Sequence, residues 1–167
     1  MDKSIREKLG ELPSMKIILD FMESTGIEFR DRDLRGALGI ATFYCVYLDI
    51  NTLLSNVTPQ AIGHIILHEI GHYKRIAKLG KEKVISNLSI SDFDLFSDSI
   101  IEEEIFADRY SCFVHYKLYG ISTRCYSQGL HIPKKRNEYK GRTLNLFNVI
   151  DNKEENYIKL LESFVLN

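Results

Sequence analysis

The chain has 167 residues, 44% of them hydrophobic, and a formal net charge of −1, which suits one compact domain and excludes nucleic-acid binding driven by overall positive charge. The charged N-terminus has no signal-like apolar region, and no apolar run approaches the roughly 18 residues of a membrane span, so we expect no membrane segment. Three cysteines without paired metal-ligand spacing favour the cytoplasm over a disulfide-bonded secreted protein.

The predicted elements begin with helices and a small sheet. Residues 3–24 have the spacing of one or two amphipathic helices interrupted near Pro13. Four apolar side chains are expected to face inward: Ile17, Ile18, Phe21 and Met22. A short strand follows at 27–30, and residues 36–50 are rich in β-branched and aromatic side chains. We expect these segments to form a small, at least partly antiparallel sheet, because the connections are too short for helical crossovers.

The next element is a long helix from Thr58 to about Leu79. Thr58 suits the N-cap, Pro59 suits the first helical position, and Gly80 is a natural stop. A polar, serine-rich stretch follows at 81–98, which is either a loop that borders a cleft or an ordinary connector.

The long helix contains the motif H-E-x-x-H at residues 68–72. Two imidazoles four residues apart on a helix project from one face, so His68 and His72 can bind one metal ion. Glu69 between them is placed to accept a proton from the water that the ion activates. The motif therefore predicts a zinc-dependent hydrolase with Glu69 as general base. Without metal, the two histidines would be partly buried polar groups hydrogen-bonded to neighbours.

A second long helix is predicted over residues 99–119 and offers a third ligand. Two histidines leave zinc short of a protein ligand, and Glu104 is the best candidate, with Glu103 as runner-up. Asp108 shares a face with Glu104, one turn further on, and is predicted to accept a hydrogen bond from a ligand histidine in the second coordination shell.

Other polar residues near these helices have simpler interpretations. His64, one turn before His68, is expected to be a rim or core histidine, because a fourth protein ligand would close the site to water. His115 is a weaker candidate for transition-state contact. Three tyrosines could donate a hydrogen bond to an oxyanion, but an ordinary structural role is favoured for each of them: Tyr73, Tyr110 and Tyr116.

The C-terminal part of the chain is less informative. Residues 121–142 are irregular and locally basic between 134 and 142, which indicates a solvated loop more than a nucleic-acid patch. Residues 154–165 have the spacing of a final amphipathic helix.

At two motifs the sequence resembles the ImmA/IrrE-type zinc metallopeptidases, a gluzincin family. The first runs from Tyr47-Leu48-Asp49-Ile50-Asn51 through Pro59 to His68-Glu69-Ile70-Gly71-His72-Tyr73, and the second is Glu104-x-x-Ala107-Asp108. The resemblance covers about residues 40–115. It implies zinc bound by His68, His72 and Glu104, Glu69 as general base, and a minimal zincin-like fold. It also implies cleavage of a repressor or regulator, often beside a helix-turn-helix partner.

We therefore expect an α+β fold in which a small, partly antiparallel sheet packs on the active-site helix, with additional helices. The whole chain, 1–167, is predicted to be one metallopeptidase domain with a metal-binding core at about 40–120 and a C-terminal extension at 121–167. We expect no DNA-binding module and no large C-terminal sensor region, which would distinguish the chain from the longer members of the family that it resembles.

The predicted function is zinc-dependent cleavage of a protein or peptide substrate, without membrane or nucleic-acid partners. One alternative is a metal-bearing module that binds a regulator without cutting it. Another is a DNA-associated protease of the SprT type, suggested by the same motif and the basic segment 134–142. The SprT type characteristically uses a third histidine ligand, whereas the second long helix here offers Glu104.

Overall fold

A computed structural model describes residues 1–80, 98–120 and 159, with the backbone alone at residues 60 and 98–105. Over these ranges the fold is α+β, with five α-helices, one 3-10 turn and a three-stranded sheet. In chain order the elements are α1 (Lys3–Gly10), the 3-10 turn (Pro13–Met15), α2 (Lys16–Ser24), β1 (Phe29–Asp31), β2 (Gly39–Ala41), β3 (Val46–Leu48), α3 (Ile50–Asn56), α4 (Pro59–Leu79) and α5 (Asp98–Tyr119). None of the described helices is both long enough and apolar enough to cross a bilayer.

The N-terminal helices pack against the rest of the described chain through an apolar core. Ile5 and Leu9 of α1 and Ile18 and Met22 of α2 are buried in the same cluster as residues of the sheet, α4 and α5. The prediction for Ile17 was wrong. Its side chain is 43% exposed, because Leu19 takes the third inward position on this short helix.

The sheet is mixed, with the strand order β1-β3-β2. β2 pairs with β3 antiparallel, as predicted, whereas β1 pairs with β3 in parallel. The parallel pair needs no helical crossover, since β2 itself and its flanking turns carry the chain from β1 back to the start of β3. The segment 36–50 therefore contains two three-residue strands joined by a turn and ends at the first residue of α3, and β2 lies at an edge of the sheet.

The chain leaves the sheet through α3, a helix that the sequence did not predict. Asp49 caps it, since its carboxylate accepts a hydrogen bond of 3.0 Å from the backbone amide of Thr52. Ile50 and Leu53 anchor it in the core. An N-cap aspartate with buried residues three apart is enough for a short helix that tertiary packing stabilises.

Helix α4 has the ends that the sequence predicted. The Thr58 side chain accepts a hydrogen bond from the amide of Ala61, and the helix stops at Gly80, whose φ of 79° is unfavourable for other residues. α4 packs on α5 at close range around Gly71, where a Cβ would lie 3.1 Å from the Cα of Ala107. Glycine at position 71 therefore lets the two helix backbones approach each other.

Several predictions fall outside the described residues. These are residues 81–97 of the stretch predicted at 81–98, the irregular stretch 121–142 with its basic segment 134–142, the final helix at 154–165 apart from position 159, and the boundary of the C-terminal extension.

Candidate metal centre

The two histidines of the H-E-x-x-H motif converge in the middle of α4. The Nε2 atoms of His68 and His72 are 3.0 Å apart, and their rings are nearly perpendicular, with centroids separated by 4.6 Å. Both side chains are partly buried. Zinc–nitrogen bonds of about 2.0–2.1 Å place two tetrahedral ligands roughly 3.3 Å apart, so this pair needs only a small adjustment to share one ion.

Asp108 of α5 contacts the other side of the His68 ring. Its Oδ1 lies 2.7 Å from Nδ1 of His68, a hydrogen bond between two helices. Burial alone would raise the pKa of the Asp108 carboxyl, but the neighbouring His68 and His64 rings outweigh it and hold the pKa well below its usual range. Because an ionised carboxylate only accepts, Nδ1 of His68 is the donor. In a neutral ring, Nε2 then presents its lone pair toward His72.

His64 adds a third imidazole to this cluster. Its Nε2 lies 3.6 Å from the same Oδ1 of Asp108, and its Nδ1 lies 2.8 Å from the hydroxyl of Ser111. The sequence predicts a rim or core position for His64 but not these contacts. His64 lies four residues before His68, and Ser111 lies three residues after Asp108. These spacings indicate the contacts only once it is known that α4 packs against α5.

His64, His68 and Asp108 also place metal-ligating atoms within 4.8 Å of one another. This group is the weaker candidate for a zinc site. The 2.7 Å separation of Asp108 Oδ1 and His68 Nδ1 is a hydrogen-bond length and is shorter than the ligand spacing around one zinc ion. The pair of Nε2 atoms on His68 and His72 is the better candidate.

Glu69 lies against the edge strand β2. A Cβ built on Gly39 would come within 2.6 Å of Cγ and 3.1 Å of Oε1 of Glu69, so glycine leaves the space that this side chain occupies. The side chain is 9% exposed. The glutamate of the motif is therefore held between α4 and the sheet, one residue after a candidate ligand.

The predicted third ligand is only partly described. The backbone of Glu104 lies in α5, one helical turn before Asp108, but the side chains of Glu103 and Glu104 lie outside the described residues. Zinc ligation by Glu104 therefore stays a prediction, as does the choice between the two glutamates.

The remaining candidates show the packing of core or surface residues. His115 is 4% exposed and stacks on Tyr119, with ring centroids 4.5 Å apart. Tyr110 is fully buried against Gly71, Tyr73 is half-buried, and Tyr116 is 44% exposed.

The donor set fits a zinc ion, because two imidazole nitrogens meet at near-ligand distance and one is oriented by a carboxylate, the usual support for a metal-binding histidine. Comparison with protein-family models, curated proteins and solved structures gives no match for the chain.

Proposed function

We propose that the chain is a zinc-dependent endopeptidase with a zincin-like fold, in which His68, His72 and Glu104 are the protein ligands. The observation that carries this proposal is the 3.0 Å approach of the two Nε2 atoms with Asp108 bonded behind His68. Because the Asp108 carboxylate accepts a hydrogen bond from Nδ1 of His68, it fixes the tautomer in which the Nε2 lone pair is available to bind a metal.

When bound, zinc would supply a water acidified toward neutral pH and a polarised substrate carbonyl. Glu69 would take the proton from that water and pass it to the leaving amine. The side chain follows His68 directly and is confined beside Gly39, which limits the directions in which its carboxylate can point. Asp108 would keep His68 oriented by accepting the hydrogen bond from its Nδ1.

The edge strand beside Glu69 favours an extended peptide as the substrate. The amides of Thr42 and Asp49 donate to the carbonyls of Cys45 and Leu38, so the residues of β2 that bond to β3 are the even-numbered ones. The N–H and C=O groups of Gly39 and Ala41 therefore point away from β3. A substrate strand that pairs with them would pass beside the Glu69 carboxylate.

We extend the proposal to a cytoplasmic protein substrate such as a regulator or a helix-turn-helix repressor. Cys45 is buried and forms no disulfide, which is compatible with a reducing compartment. The substrate class rests on the family resemblance and on the edge strand.

The test is digestion of a proteome-derived peptide library by the zinc-loaded protein, read by mass spectrometry. Wild type should produce new termini that Glu69→Gln does not, while Glu69→Gln should bind zinc as tightly as wild type. His68→Ala should lose both zinc and cleavage. Glu28→Gln is a suitable control, since Glu28 is exposed and paired with Arg30.

Three outcomes would contradict the proposal. Equal cleavage by wild type and Glu69→Gln would remove Glu69 from the chemistry. Zinc binding without cleavage of the library, followed by recovery of an intact co-expressed regulator in a stable complex, would favour the non-catalytic binding module. Cleavage that depends on added DNA and weakens with salt would favour the SprT type.

A further inference from the structure

His64 lies one turn before the H-E-x-x-H motif and is 5% exposed, and Ser111 on the facing helix is fully buried. The Ser111 hydroxyl donates to the backbone carbonyl of His64 over 2.9 Å and also lies 2.8 Å from its Nδ1. A hydroxyl has one proton to donate, and Ser111 donates it to the carbonyl in a hydrogen bond. Nδ1 of His64 must therefore be a donor to Ser111, and Nε2 is the nitrogen left to face Asp108.

Asp108 thus lies between two imidazoles. Its Oδ1 is 2.7 Å from His68 Nδ1 on one side and 3.6 Å from His64 Nε2 on the other. The second distance is too long for a hydrogen bond, so His64 confines the carboxylate by filling the space beside it. With Nδ1 bonded to Ser111, the ring cannot rotate away without leaving a buried polar group unpaired.

We propose that His64 and Ser111 are positioning residues for the metal centre: Ser111 fixes the His64 ring, His64 confines the Asp108 carboxylate, and Asp108 orients His68. The path runs through four side chains that alternate between α4 and α5, so it also couples the packing of the two helices to the direction of a candidate ligand. This inference rests on the proposed zinc site, but it concerns residues outside the ligand set.

The expected effect is on metal affinity rather than on folding alone. Loss of a residue that supports a metal-binding histidine typically weakens metal binding by about 10–100-fold. His64→Gln and Ser111→Ala should therefore each bind zinc more weakly than wild type, with Ser111→Ala as the milder change because it removes a single hydroxyl.

The experiment is a competition titration of the full chain against a chromophoric zinc chelator, which needs no substrate. Asp108→Ala is titrated alone and combined with His64→Gln. If His64 acts through Asp108, His64→Gln should weaken zinc binding little further in the Asp108→Ala variant. If the two residues act independently, the free-energy losses of the two substitutions should sum. His115→Phe is the matched control, a buried histidine of α5 stacked on Tyr119, and should bind zinc like wild type.

The outcomes separate this inference from the proposed function. Wild-type protein with no measurable zinc affinity would overturn both. Tight wild-type binding, with His64→Gln and Ser111→Ala within twofold of wild type and Asp108→Ala much weaker, would overturn the positioning role alone. An undiminished effect of His64→Gln in the Asp108→Ala background would also overturn it, because His64 would then act on the metal directly. Should His64→Gln not fold, Ser111→Ala and its combination with Asp108→Ala decide the question.

Discussion

At Gly39, the addition of one methyl group is predicted to lower turnover without changing zinc affinity. A Cβ there would lie 2.6 Å from Cγ of Glu69, so Gly39→Ala must displace the proposed general base. Because a misplacement of about 1 Å can cost roughly a hundredfold in rate, we expect turnover to fall at least tenfold. Zinc affinity should stay unchanged, since His68 and His72 lie on α4 and keep their contacts. Steady-state kinetics and zinc titration on the same preparation measure the two effects.

Gly63→Ala is the control for this prediction. Gly63 lies on the same helix as Glu69, but a Cβ there would meet Ile18 at 3.5 Å, an ordinary contact. Alanine at this helical position should leave turnover unchanged and stabilise the fold by up to about 1 kcal/mol. Turnover of Gly39→Ala within twofold of wild type would mean that Glu69 has room to move without consequence.

At the scale of the element, β2 is predicted to act as a docking strand for substrate. Ala41→Pro removes a backbone N–H that points away from β3, and proline is tolerated at such edge positions. We expect the KM for a peptide substrate to rise about tenfold, as one strand-to-substrate hydrogen bond is lost, with little change in zinc affinity. The measurement is kinetics on a peptide identified from the library digest.

The control for β2 is Ala41→Val, which adds bulk and keeps the N–H. If both variants raise KM equally, the side chain at position 41 and not the backbone group contacts substrate. If neither changes KM, substrate does not pair with this edge.

The elements also show what the sequence can and cannot predict. Helix α4 was predicted almost to the residue, because Thr58 and Gly80 are local signals and its apolar spacing is long and regular. The spacing of His68 and His72 is equally local. Helix α3 was missed, since seven residues give little periodicity and its stability comes from packing of Ile50 and Leu53.

Local sequence patterns do not predict which distant segments of the chain pair with each other. The parallel register of β1 and β3 joins Phe29 to Val46, and the contact of Ser111 with His64 spans 47 residues. Both depend on how elements meet in three dimensions. By contrast, Asp108 was predicted as a partner of a ligand histidine because its four-residue spacing from Glu104 places both on one face of a helix.

At the scale of the whole molecule, Asp31 joins the N-terminal helix to the sheet and to α3. Its carboxylate accepts from the Ser4 hydroxyl at 2.7 Å, the Lys8 ammonium at 2.9 Å and the Ile50 amide at 3.3 Å. Partial burial alone would raise the pKa of Asp31, but these hydrogen bonds outweigh it and hold the pKa below its ordinary value of 3.8. The folded state therefore favours the ionised form.

This shift predicts how Asp31→Asn should depend on pH. A carboxyl whose pKa is lower in the folded than in the unfolded state contributes stability that is fully present above the unfolded pKa and is lost as the pH falls through the folded one. Urea unfolding should show Asp31→Asn less stable than wild type by about 1–3 kcal/mol at pH 7, with the difference shrinking as the pH is lowered from about 4 toward 3.

Asp20→Asn is the control for the pH series, since Asp20 is exposed and paired with Lys16 four residues away on the same helix. An exposed pair of this kind contributes little, so its substitution should change the free energy of unfolding by under about 0.5 kcal/mol at every pH. A loss for Asp31→Asn that is the same at pH 7 and pH 3 would mean that the shape of the side chain, and not its charge, stabilises the junction of α1, β1 and α3.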